Sequence, residues 1–212
     1  SADKMRMLNV PVIFATIGSE ISDELSRNSY STVSVDDAVE SKKVVEYLIR
    51  LGHKRIAILT EGNDEPSIVK QRFEGYLEAL KSNGIKRDDK LIQYVDRRIY
   101  TMKNGYEATK ALIESGAKFT ALFCISDVLA LGALRAFADA GIRVPEDVSV
   151  AGFDGQEIAE FSVPRLTTLR QPLDDISEET IRLIFDLIEE TRGHKHLIFP
   201  GELIEAESTA RI

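Results

Sequence analysis

The stretch FTALFCISDVLALGALRAFADAGIRVPEDVSVAGFD, residues 119–154, decides the fold class. Residues 119–125 form an unbroken apolar run of strand length. Ser126 and Asp127 follow. The helix is read over 127–140, capped by Asp127 and stopped by Gly141. A second apolar strand, 148–153, comes next. Two strands joined through such a helix make a βαβ unit, so they lie parallel, and strands this apolar are covered on both faces.

The pattern repeats on either side. Residues 10–16 (VPVIFAT) read as a strand and 36–51 as a helix, started by Asp36 or Asp37 and ended by Gly52. Strands are expected at 55–60 (RIAILT), 91–95, 166–170 and 197–199. Helices are expected at 67–82, 103–114 and 173–190, the last beginning after Pro172. The polar stretch 18–31 reads as a loop and 86–90 as a solvated turn. The alternation predicts an α/β fold with parallel sheets. Residues 3–8 look like the end of a helix, which points to a fragment.

The chain has 212 residues, 43% hydrophobic and 29% charged, the balance of a globular protein rather than a disordered one. No run approaches the ~18 apolar residues of a membrane span. Asp and Glu outnumber Lys and Arg, 35 to 27, for a net charge of −8. That argues against this segment holding nucleic acid by itself, because phosphate binding needs clustered positive charge. The single cysteine, Cys124, can form neither an internal disulfide nor a cysteine-based metal site. A cytoplasmic location fits, and no signal peptide opens the chain.

In doubly wound sheets, ligands bind beyond the carboxyl ends of the strands. The residues expected there are Glu61 and the helix bearing Arg72; Asp96, Arg97, Arg98 and Tyr100; Ser126 and Asp127; Asp154 and Gln156; and Gln171. Carboxylates and amides suit the hydroxyls of a polar small molecule. Arg72 donates through a fixed fork, and Tyr100 offers a flat face to a ring. Each has a plainer alternative: a cap for Asp127, a surface ion pair for Arg72, an Asp-Gly turn for Asp154. Enzymatic signatures are absent: no dinucleotide-binding glycine pattern, P-loop lysine or nucleophile elbow. His53, at a helix end, suits the helix dipole as an imidazolium. His194 and His196 make a poor ligand pair without a third group. Neither catalysis, cofactor nor metal is expected.

Several stretches, in order, resemble the effector-binding domain of the LacI/GalR family of bacterial transcription regulators: LGHKRIA (51–57), RFEGYLEAL (72–80), SDVLALG (126–132), GIRVPEDVSVAGFD (141–154), PRLTTLRQP (164–172) and EST (207–209). The resemblance covers nearly the whole chain. It implies a type I periplasmic binding protein-like fold of two Rossmann-like subdomains with ligand between them. Residues 1–35 and 172–196 would lie in a partial N-terminal subdomain, and 36–171 and 197–212 in the C-terminal one. The chain would open just before the fourth strand of the former. By the same resemblance Arg72, Tyr100, Ser126, Asp127, Asp154 and Gln171 bind the ligand, a small sugar or sugar-like effector. Ser67 and Ile68 stand where a polar contact is often found, and Ile68 departs from that. The stretch Ala38-Val39-Glu40-Ser41 replaces residues that are often glycine. Also implied are a homodimer through 128–139 and 157–163, with Leu129, Leu131, Leu134, Phe137, Ile158 and Phe161 as apolar material, and operator DNA bound only through a helix-turn-helix domain absent here. The alternative is a periplasmic or secreted sugar-binding protein of the same fold.

Overall fold

Each long helix of the large sheet begins where a side-chain oxygen captures an amide of the first turn. In the computed structural model, which describes residues 10–16, 30–62, 67–95, 100–189 and 193–212, Asp36 caps α1 (Asp37–Arg50) by accepting from the Val39 N–H at 3.0 Å. Ser67 caps α2 (Ile68–Ser82) and Thr101 caps α3 (Met102–Glu114). Ser126 caps α4 (Asp127–Asp139), accepting from the Leu129 N–H at 3.4 Å. This corrects the expected cap: Asp127 is the first residue of the helix, and its side chain turns to other partners. Two further helices are the short α5 (Glu157–Glu160) and the long α6 (Leu173–Ile188). The readings of residues 3–8, of 18–29 and of Asp96, Arg97 and Arg98 lie outside the described residues.

The strands are β1 (Ile13–Ala15), β2 (Ser31–Ser34), β3 (Ile56–Glu61), β4 (Ile92–Val95), β5 (Ala121–Cys124), β6 (Ser149–Asp154), β7 (Thr167–Arg170), β8 (His196–Ile198) and β9 (Glu202–Ile204). They form two sheets, a large one in the order β4-β3-β5-β6-β7-β9 and a small one in the order β1-β2-β8. All neighbours are parallel except β9, which runs against β7 with Thr168 opposite Ile204. The chain leaves β3 toward β4 on one side and returns to β5 on the other. The carboxyl ends of β3 and β5 therefore flank a switch point, where such sheets open a crevice. The chain passes between the sheets three times: from β2 into α1, from β7 into α6, and from β8 into β9.

The core is unequal. A continuous apolar cluster runs through the large sheet and its helices, with Leu48, Ile58, Phe123, Ile125, Leu129, Phe137 and Phe153 fully buried. Leu129, Leu134 and Phe137 belong to it, so most of the helix expected to offer a dimer surface is interior. Around the small sheet only Val33, Val35, Ile176 and Leu183 form a buried cluster, with Leu187, Leu197 and Phe199 packed against it. The division expected after His196 is crossed by this packing. α6 buries Ile176 and Leu183 but leaves Leu173, Ile181, Phe185 and Ile188 more than half exposed.

Helices α3 and α4 meet at backbone contact. A Cβ on Gly105 would stand 2.2 Å from the Leu129 carbonyl oxygen, and one on Gly132 would stand 2.0 Å from that of Met102. Only hydrogen fits at either position. His53 is buried rather than displayed at a helix end: Nδ1 lies 2.9 Å from Thr120 Oγ1 and Nε2 3.1 Å from the Ala210 carbonyl oxygen. Burial lowers its pKa, so the ring is neutral where an imidazolium was expected.

Candidate functional site

Arg72 projects from the second turn of α2 into the crevice and is 6% exposed. Its Nε donates to Asp37 Oδ1 at 2.7 Å, in the first turn of α1. Its Nη1 donates to the Ile125 carbonyl oxygen at 2.6 Å and to Asp154 Oδ1 at 3.0 Å. The guanidinium lies 3.9 Å over the Phe153 ring. The plainer reading of Arg72 as a surface ion pair fails: one buried cation joins α1, α2, β5 and β6.

Asp154 has a φ of 114°, a region non-glycine residues rarely occupy. Gly155 follows at 71°. A Cβ on Gly155 would stand 2.3 Å from the Arg170 Cα, so the turn requires glycine twice over, by dihedral and by space. The turn aims the Asp154 carboxylate at Arg72 and at Gln171, whose Nε2 donates to Oδ1 at 3.0 Å. The Gln171 backbone N–H also donates to the Asp154 carbonyl at 3.2 Å. Burial raises the pKa of the Asp154 carboxyl, against the pull of Arg72 and Gln171. Gln171 Oε1 is buried with no hydrogen-bond partner in the structure, so an acceptor is left unused beside the turn.

Tyr100 donates its hydroxyl to Glu61 Oε2 at 2.7 Å. Burial and that carboxylate both raise the phenol pKa, so it stays a hydroxyl. Ser126 reaches the crevice while capping α4. Asp127 does not line it. Its Oδ2 accepts from the Gln156 N–H at 2.7 Å and its Oδ1 from the Thr168 hydroxyl at 2.5 Å. It braces the Asp154 turn from behind, and burial pushes its carboxyl up to about 7.

The result is a cleft of about 330 Å³ where the large sheet faces the end of β1 and the start of α6. Arg72, Tyr100, Ser126, Asp154 and Gln171 all line it, and Asp127 stands outside the lining. Sequence reasoning left out Thr16, Leu173 and the supporting Asp37. Thr16 follows β1 with a φ of 62°; with that strand read through residue 16, the strand-end rule passed over it. Ile68 and Leu173 add apolar walls. Polar groups set among apolar side chains can hold a small ring that carries hydroxyls. Among the described residues no group of His, Cys, Asp or Glu is placed to hold a metal ion.

Residues 45–209 match the periplasmic binding protein-like domain family. The chain is 35% identical over 210 residues to the HTH-type transcriptional regulator MalR of Clostridium butyricum, covering 99% of this chain and 61% of that protein. The solved structure of the Escherichia coli transcriptional repressor AscG superposes with a TM-score of 0.83 at 32% identity, over 98% of this chain and 72% of that one. A CelR–cellobiose complex gives 0.82 at 31% identity, over 94% and 59%. A LacI-family regulator of Enterococcus faecium with bound ribose gives 0.82 at 27%, over 95% and 72%.

Proposed function

This chain belongs to the LacI family of transcriptional regulators, and from that premise we propose that it is the effector-sensing part of such a regulator, binding a small neutral sugar in the cleft around Arg72 and Asp154. The observation that carries the reading is the Asp154 turn: a strained aspartate, locked to Arg72 and Gln171, beside an unused buried acceptor on Gln171. With the Gln171 amide turned toward the cleft that it lines, a sugar hydroxyl supplies the donor that this acceptor lacks. Cellobiose and ribose in two relatives support the ligand class. Arg72, Tyr100, Ser126, Asp154 and Gln171 are the proposed contacts, with Asp127 as their brace. The protein is not an enzyme in this reading.

The two sheets would be the cores of two subdomains, with the third pass falling after Phe199. Ligand acts by binding one relative placement of the subdomains better than another. The chain spans 61% of the MalR length, so operator binding through a separate helix-turn-helix domain and a cytoplasmic location are parts of the proposal. No helix among the described residues is long and apolar enough to cross a membrane. A homodimer is proposed through Ile158, Phe161 and Val163, which are 43%, 76% and 94% exposed on one short turn.

A thermal-shift and calorimetry screen against cellobiose, ribose, maltose and other neutral sugars tests the reading. A sugar at 100 times its dissociation constant adds about 2.7 kcal/mol of stability. That shift is expected for at least one sugar and is expected to vanish in Asp154→Asn. A cooperatively melting chain that no sugar shifts, or a shift that survives in the variant, would sink the assignment.

A further inference from the structure

Glu40 stands in the first turn of α1, in the stretch where the sequence departs from the family's frequent glycines. Its side chain is 3% exposed. Oε1 lies 2.6 Å from Lys43 Nζ. Oε2 is buried and has no hydrogen-bond partner in the structure. A Cβ built on Gly201 would stand 3.2 Å from that Oε2 and 3.2 Å from the Arg170 carbonyl oxygen. Gly201 lies in the third pass, between Phe199, whose N–H donates to the Ser34 carbonyl at 2.8 Å, and β9. Arg170 ends β7 at the second pass, and Ser34 ends β2 at the first. One half-satisfied buried carboxylate thus sits where all three connections between the sheets come together.

We propose that Glu40 sets the balance between two placements of the sheets, disfavouring the one seen here and favouring one in which the third pass moves to give its second oxygen a backbone N–H. The inference rests on the two-subdomain reading above. A buried carboxylate oxygen without a donor is costly. A group that is unpaired in one arrangement and paired in another shifts the population toward the second. Gly201 lies beside that oxygen in the third pass, and a glycine there lets the backbone come close. Lys43 compensates only Oε1 and leaves the bias in place. Gln171 would couple such a shift to the cleft, because it joins the Asp154 turn to the second pass.

Paired spin labels at Glu146→Cys, on the large-sheet side, and Glu178→Cys, on α6, read the distance between the two parts. Cys124 is fully buried and does not compete for label. The doubly labelled chain is expected to show two distance populations. Glu40→Ala is expected to deplete the second by about tenfold, with the isosteric Glu40→Gln as the measurement should the alanine variant fail to fold. Two populations left unchanged by both variants would overturn the role of Glu40 while keeping the two-part hinge. A single population that no variant changes would overturn the proposal and count against a hinge between two subdomains as well.

Discussion

The large sheet and the small sheet use the same chemistry with opposite results. In the large one, α1 to α4 cover six strands, and residues such as Leu59, Phe123 and Phe153 have no exposed surface. In the small one, three strands share the cluster of Val33, Val35, Ile176 and Leu183, and one flank of α6 is open to solvent. Burial of apolar area is the main favourable term in folding, so most of the stability resides in the large-sheet part. The cleft takes Arg72, Tyr100, Ser126 and Asp154 from that part, and Thr16 and Leu173 from the small-sheet side. Most of the recognising groups are therefore fixed by the stable part, and the opposing wall belongs to the part that is easier to move.

The largest effect should come from the core. Phe123→Ala, at the centre of β5, is expected to cost about 3–5 kcal/mol and to lower the urea midpoint of the whole large-sheet part. Leu183→Ala removes a side chain that is equally buried, yet it should leave that midpoint near wild type. It should instead strip hydrogen-exchange protection from the amides of Thr32 and Val33. If both variants lower the main transition alike, the contrast between the two parts is wrong.

A middle-sized effect is expected at the border. Gly155→Ala forces a side chain into a left-handed backbone and against Arg170, at a cost of about 1–3 kcal/mol. Urea unfolding should show that loss, and the sugar-induced thermal shift should disappear with it. An alanine variant as stable as wild type would show that the Asp154 turn is not strained.

The smallest effect is one of pH, confined to the large-sheet part. The His53 pKa is lowered from its ordinary 6.5 by burial, so the fold binds the neutral ring. Its contribution is whole above pH 6.5 and is lost as the pH falls from there toward the folded pKa. Asp127, held up at about 7, acts with the opposite sign and costs stability as the pH rises out of the ordinary carboxylate range. Comparing wild type with His53→Gln from about pH 7 down to about pH 5 isolates the histidine. The stability gap between them should shrink on acidification, and a constant gap would refute a neutral buried ring.

What was legible in the sequence follows the same divide. The runs 55–60 and 119–125 announced β3 and β5 because strands covered on both faces must be apolar throughout. The strand-end rule found six residues of the cleft lining, Gln156 among them, without knowledge of a ligand. β2 escaped because Ser31, Thr32 and Ser34 are polar and yet buried. The Ser31 and Thr32 hydroxyls pair with the rings of His194 and His196, more than 160 positions away, and no local pattern carries that. β9 is three residues of half-exposed edge with no periodic signal. The place of Asp127 depended on which of two adjacent residues turned to cap the helix, a choice the packing of Thr168 decides.

The contact of Gly105 and Gly132 also bears on redesign. A library that retunes the cleft can vary Ile68, Tyr100 and Gln156, which line it and are half-buried or exposed. Positions 105 and 132 permit no such exploration, because a single methyl at either would have to prise α3 from α4. New specificities are open to this scaffold only through sequences that keep both glycines.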